Sequence, residues 1–425
     1  MKNGLKKKIT LLLSVVSIMF ILTGCNNSST LRETYDNPND IHTNSQTVVE
    51  NSVDEPGEMF EFKNDKSRAC DIMDAIYEQS NSNIAYSDLS LNMALALVMS
   101  GSENNTLAQF ESYFGTDFET KQVYYKDLIS KYAENEIIDI NLANSVWSDS
   151  TISLNSEYIN RIKKYYNADA SVLDFTNSAS ADKINNWCAE HTNNKIKEII
   201  SPTLLSQNKN VLINALYFNG NWAYQFTDDQ IYDDAKFVNL DESETDVTMM
   251  HSTENTYYEN NMAIAFAKQY DDPNFVFIGI LPKNTGDFKM ADLDIESLLM
   301  SETTEYEVDI KIPKFKMEYT TLLNKPVMRC GLTDMFNVDA ADFSIMSDND
   351  LYVTQIVQKV YIDIDEKGTE AAAVTGMFMN LTCMSDKIEP ERKKVYLDRP
   401  FAFIIYDKEH EECLFMGKIT DMANL

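Results

Sequence analysis

From about Met59 to Leu425 the chain runs without a second linker, an internal repeat or a low-complexity tract. About 365 residues in one globular piece exceed the usual domain size, which calls for an elaborate fold with mixed elements around more than one sheet. The apolar fraction of 44% is enough to bury one large core or two moderate ones. Helical and strand patterns alternate without a strict βαβ rhythm, so the expected class is α+β. Ser67 to Glu78 has helical spacing of Ala69, Ile72, Met73 and Ile76. Leu89 to Met99 is apolar almost all round and reads as a buried helix. Ser180 to Ile200 reads as a helix with one polar face. Asn210 to Asn219 is rich in strand formers and meets a turn pair at Asn219-Gly220. Phe275 to Leu281 is continuously apolar and stops at Pro282. Phe401 to Tyr406 and Leu414 to Ile419 flank the polar run Asp407 to Glu412 and read as a hairpin with buried strands.

The chain start is different in kind. Lys2, Lys6, Lys7 and Lys8 precede an uncharged, mostly apolar run from Ile9 to Leu22, closed by Leu22-Thr23-Gly24-Cys25. A basic head, a short apolar body and small residues at the exit are the marks of a secretory leader. A transmembrane anchor is the alternative, but the run is short of the roughly 20 apolar residues that a span needs. The Leu-Thr-Gly-Cys ending resembles the bacterial lipobox. That resemblance implies cleavage before Cys25 and acylation of its new N-terminus, and hence an envelope lipoprotein facing outward. Asn26 to about Glu58 is polar, too poor in large apolar residues to pack, and reads as a flexible tether. The expected division is leader 1–24, tether 25–58 and one domain 59–425.

Net charge is −31, and removing the four leader lysines takes it to −35. Such a surface repels nucleic acid and anionic membranes at long range, leaving the lipid as the only membrane contact. It serves solubility or encounter with a basic partner. Six cysteines are present, with no CxxC pair and no zinc-ligand spacing. With Cys25 acylated, Cys70, Cys188, Cys330, Cys383 and Cys413 read as mostly buried thiols.

Enzyme chemistry finds little footing. The four histidines are His42, His191, His251 and His410, and no Gly-x-Ser-x-Gly, His-Glu-x-x-His or Gly-rich phosphate loop occurs. A carboxylate pair cannot be singled out among 67 acids. No cofactor or metal is expected.

One segment is unlike any linker. After Glu366-Lys367-Gly368-Thr369-Glu370 the chain carries no charge from Ala371 to Ser385, and no proline until Pro390. Alternate residues from Thr369 onward (Ala371, Ala373, Thr375, Met377, Met379) are all small or apolar. As a strand, that set would bury no charge. Yet the front half is rich in Ala and Gly, which disfavours a strand outside a sheet that supplies partners. Glu370 to Thr375 also has fair helix propensity.

Glu366 to Ala373 resembles the hinge of inhibitory serpins. Asp398-Arg399-Pro400-Phe401 with Leu414-Phe415-Met416-Gly417-Lys418 resembles the serpin C-terminal signature. Matches run in order from about residue 60 to the end: Ser87, Ser90, Ala94, Gly101, Thr106 and Gln109; Asn144; Trp187 with Thr192-Asn193-Asn194-Lys195-Ile196; Asn214-Ala215-Leu216-Tyr217-Phe218 with Gly220 and Trp222; and Ile312-Pro313-Lys314-Phe315-Lys316. Two positions depart from the family pattern. Asp88 stands where proline is usual, and Gln358 where histidine is common.

The resemblance implies a serpin fold of three β-sheets, eight or nine helices and an exposed reactive-centre loop. It also implies a monomeric suicide inhibitor of serine proteases, with papain-like cysteine proteases as further targets. The hinge would be Gly368, Thr369, Glu370, Ala371, Ala372, Ala373, Val374 and Thr375. The family's count places the scissile bond between Thr382 and Cys383, which suits an elastase-like enzyme. Met384-Ser385 is the alternative and Lys387-Ile388 a trypsin-like third. Cys383 would be redox-sensitive or inert. A non-inhibitory serpin that only binds is the competing function, and the small-residue hinge speaks against it.

Overall fold

The computed structural model describes residues 14–24, 65–369 and 391–425. Among these the chain forms three sheets and nine α-helices, the mixed α+β architecture the sequence implied. The largest sheet has seven strands. Its neighbours across the sheet are Phe315–Leu322, Leu351–Ile364, then one column shared by Gly368–Thr369 and Ser14–Gly24, then Asn210–Asn221, Asp139–Asp149 and Asp169–Leu173. A six-stranded sheet contains the C-terminal hairpin, with Phe401–Asp407 antiparallel to Glu412–Ile419. The third sheet has four strands, in which Arg392–Tyr396 runs parallel to Glu307–Pro313.

Both faces of the central sheet are covered, which explains the near-continuous apolar run of Asn210–Asn221. Leu212, Leu216 and Phe218 enter the main core, whereas Val211, Ile213, Ala215 and Tyr217 enter a second cluster on the opposite face. The helix Asp88–Met99 belongs to the main core and is buried along its whole length. The helix Ser178–His191 supplies Ala181, Ile184 and Trp187 to the second cluster.

Two expectations are corrected. The helix read over 180–200 stops at His191. Asn193 and Asn194 adopt left-handed backbone (φ 48° and 64°), and the Thr192 hydroxyl donates to the Cys188 carbonyl, closing the last turn. Asn219-Gly220 is no turn, because the strand runs on to Asn221. A Cβ at Gly220 would meet Ile138 Cδ1 at 2.9 Å and Tyr270 Cδ1 at 3.0 Å, so glycine there serves close packing. Ser14–Gly24, the apolar body of the expected leader, is a strand in the middle of the central sheet. Uncharged β-branched and aromatic residues satisfy a sheet as readily as a leader. Cys70, Cys330 and Cys413 are free and buried, and Cys188 is buried too; Cys25 and Cys383 lie outside the described residues.

At the start of the last strand, Glu412 accepts a hydrogen bond from the Tyr124 hydroxyl, and burial pushes its carboxyl up to about 7 from 4.5. A raised acid binds a proton more readily folded than unfolded, so stability falls as pH rises from about 4.5 to about 7. Glu412→Gln is expected to flatten that part of the pH profile, read as the urea midpoint at pH 5 and pH 8.

Candidate functional site

The site is the column between Asn210–Asn221 and Leu351–Ile364. At its head, Gly368 pairs with Asn221, and Thr369 pairs with Gly220 on one side and Ile364 on the other. The turn that delivers this two-residue strand is tied by Asp365, whose carboxylate accepts from the amides of Lys367 (2.8 Å) and Gly368 (3.2 Å). Burial holds the Asp365 carboxyl above its usual range. Glu366 bonds Lys314 Nζ at 2.6 Å; this partner and neighbouring cations outweigh burial and hold its carboxyl below the usual range.

Trp222 organises the head of the column. Its indole donates to the Asp365 carbonyl (2.9 Å), its amide donates to the Lys367 carbonyl (2.8 Å), and the Phe226 amide reaches the Glu366 carbonyl (2.9 Å). The ring stacks on Tyr270, with centroids 4.7 Å apart. Tyr270 in turn shares a hydrogen bond with the Thr369 hydroxyl, so the first hinge side chain is fully buried and satisfied. A Cβ on Gly368 would stand 2.1 Å from the Gly220 carbonyl oxygen and 2.8 Å from Asn221 Cα. Gly368→Ala is therefore expected to undock this strand. Hydrogen exchange at the Trp222 amide, whose acceptor is Lys367, should quicken by at least about tenfold.

Beneath the column lies a buried polar floor. Gln358 clasps Ser87: its Oε1 accepts from the Ser87 amide (3.1 Å) and its Nε2 donates to the Ser87 carbonyl (3.0 Å). Ser90 donates to Asn214, Asn214 to Asn144 (2.8 Å), and Asn144 to the Tyr166 carbonyl (3.0 Å). The floor thus links Leu351–Ile364, the start of the Asp88 helix, Asn210–Asn221 and Asp139–Asp149. Hydrogen bonds of this kind fix strand spacing directionally, where an apolar floor would tolerate sliding.

The two departures from the family pattern take shape here. Asp88 begins its helix directly after the Ser87 cap, and its carboxylate accepts from the Tyr86 hydroxyl (2.7 Å) and the Asn92 amide (2.8 Å). The first helical turn suits an acid as it suits a proline. Burial pushes the Asp88 carboxyl up, against the pull of Arg68. Gln358 replaces one ring with two opposed hydrogen-bonding groups, both used.

Of the hinge residues, Gly368 and Thr369 stand at the head of the column. Glu370, Ala371, Ala372, Ala373, Val374 and Thr375, the bond candidates Thr382, Cys383, Met384 and Ser385, and Cys25, the expected lipid site, lie outside the described residues. Trp222 and Gln358 were legible only through the resemblance. Tyr270, at a strand end beside Asp271, gave no local signal. Among the described residues, no group of three or more His, Cys, Asp or Glu side chains could hold a metal ion. The ring nitrogens of His410 contact Asp407 and Lys131.

The family model for serpins (serine protease inhibitor) matches residues 63–422. A serpin-like protein of Methanosarcina mazei is 29% identical, the match covering 97% of each chain. A leukocyte elastase inhibitor of Xenopus tropicalis is 29% identical over 80% of this chain and 93% of its own. The crystal structure of the thermophilic serpin tengpin in its native state aligns with a TM-score of 0.72 and 28% identity, covering 86% of this chain and 96% of tengpin. A seven-stranded sheet with a strand column headed by Gly368–Thr369, and a match along nearly the whole domain, lead to one assignment: the chain belongs to the serpin family.

Proposed function

We propose that this serpin is a suicide inhibitor of serine proteases, acting by insertion of its loop into the column between Asn210–Asn221 and Leu351–Ile364. The observation that carries this is the docked Gly368–Thr369 strand. A chain that pairs with both column walls at its first two residues is in register to continue downward once residues 14–24 are absent from the column. Each further residue would gain ladder bonds, and the alternate set Ala371, Ala373 and Thr375 would bury no charge. The protease attacks the loop carbonyl with its serine, forming an acyl-enzyme and releasing the downstream peptide as the amine. Insertion of the upstream segment then carries the attached protease away before water completes hydrolysis.

The favoured bond is Thr382-Cys383, with Met384-Ser385 as the second choice. Thr382 suits an elastase-like pocket, and the name of the frog relative supports that target class. A papain-like cysteine protease is accommodated by the same chemistry through a thioester. A lipid on Cys25 and the tether to residue 58 would hold the monomer at the outer face of the cell envelope.

The test is incubation of the chain, freed of residues 1–24, with elastase-, chymotrypsin-, trypsin- and subtilisin-type proteases, followed by denaturing gels. A detergent-stable complex is expected with the elastase type, and mass spectrometry of the released C-terminal peptide names the bond. Clean cleavage without complex would instead support a serpin that binds without trapping.

A further inference from the structure

The column below Thr369 is occupied. Ser14–Gly24 lies antiparallel to both walls, from Ser14 opposite Phe218 to Leu22 opposite Asn210 on one side. On the other it runs from Val15 opposite Tyr361 to Gly24 opposite Leu351, with one irregularity between Ile21 and Leu22. The Met19 side chain is fully buried in the second cluster with Trp147, Ile184, Trp187 and Tyr361. Gly368–Thr369 is also antiparallel to both walls, so it points the same way along the column. Thr369 sits opposite Gly220 and Ser14 opposite Phe218, leaving one position between the two segments. The ladder places that any extension of the hinge strand would claim are held by the chain's own residues 14–24.

The fit has a physical basis. Two central strands parted by an empty column would leave two rows of backbone donors and acceptors unpaired under the Ser178–His191 helix, a cost that an occupying strand removes. Residues 14–24 carry no charge and no proline, and they contain Val15, Val16, Ile18, Phe20 and Ile21. They can pair on both edges without burying an ion.

We propose that the column is an acceptor site for an uncharged apolar strand whose resident ligand is this chain's own Ser14–Gly24. A chain that folds with its first 24 residues attached is thereby held in a saturated form that cannot admit the loop. The silencing rests on the inhibitory reading above, whereas the occupancy does not. A chain folding after removal of residues 1–24 lacks this occupant.

The test uses the full chain made in the cytosol, with residues 1–24 confirmed by intact mass. Hydrogen exchange at neutral pH should show the 14–24 amides protected by at least about 1,000-fold, on the scale of the 210–218 amides. In full-chain Met19→Asp, a carboxylate at a fully buried position should expel the strand and remove that protection. Complex formation with protease should then rise by at least about 100-fold over the unmodified full chain. Exchange of the 14–24 amides within seconds in the unmodified chain overturns the proposal, even if that chain traps protease and so upholds the inhibitory reading. Protected 14–24 amides with no complex from either chain would uphold the occupancy and overturn the inhibitory reading instead.

Discussion

By the trapping mechanism proposed above, Thr369→Arg in the chain freed of residues 1–24 is expected to yield a protease substrate in place of an inhibitor. Thr369 has no exposed surface, and its hydroxyl is taken by Tyr270. A guanidinium at this place would have to enter a pocket formed by Trp222, Tyr270 and the backbone of Gly220, with no acid bonded into it. Burying an unpaired cation costs several kcal/mol. About 3 kcal/mol on the barrier to insertion slows that step roughly 100-fold, while hydrolysis of the acyl-enzyme keeps its own rate. The number of inhibitor molecules consumed per protease inactivated should therefore climb steeply, with the C-terminal peptide still released. Thr369→Ser, which keeps the hydroxyl, should trap near-normally. Stoichiometric trapping by Thr369→Arg would contradict insertion through this column.

The second large effect is expected at Trp222. Its ring is buried between Tyr270 and Phe277, with Lys268 Nζ 5.7 Å from its centroid. Trp222→Ala should destabilise the fold by about 3–5 kcal/mol through lost burial and a residual cavity. It also frees the Asp365 carbonyl that the indole holds. Trp222→Phe refills most of the volume and loses only the hydrogen bond, so about 1 kcal/mol is expected. Urea midpoints separate the two. An alanine variant as stable as the phenylalanine one would show that the indole packs nothing of consequence.

Much of this architecture can be read from residue patterns. Leu89–Met99, apolar on every side, had to be a helix inside a large protein, and it is. The Phe401–Asp407 and Glu412–Ile419 hairpin followed from two apolar runs around one polar turn. Where reading failed, tertiary context overrode local preference. Asn219-Gly220 carries a turn signature, but Ile138 and Tyr270 crowd Gly220 so closely that the pair lies in a strand. Lys195 to Ile200 looks helical, yet the paired left-handed asparagines turn the chain away first. The head of the site depends on residues from distant stretches, Tyr270 and Thr369 among them, and no local period links them. Ser14–Gly24 is a different case, because an apolar uncharged run of that length satisfies both a leader and a buried strand. The column it fills is built from residues some two hundred to three hundred and fifty positions away, so no local pattern announces the pairing.

The most direct test of the account is the thermal stability of the chain freed of residues 1–24, before and after a trace of metalloprotease has nicked it within residues 376–388. A nicked loop that enters the column adds a central strand, and several kcal/mol of new pairing should raise the unfolding midpoint by at least about 15 °C. A midpoint unchanged or lowered by the nick would mean that the column does not admit the loop, and the trapping mechanism built on it would fall.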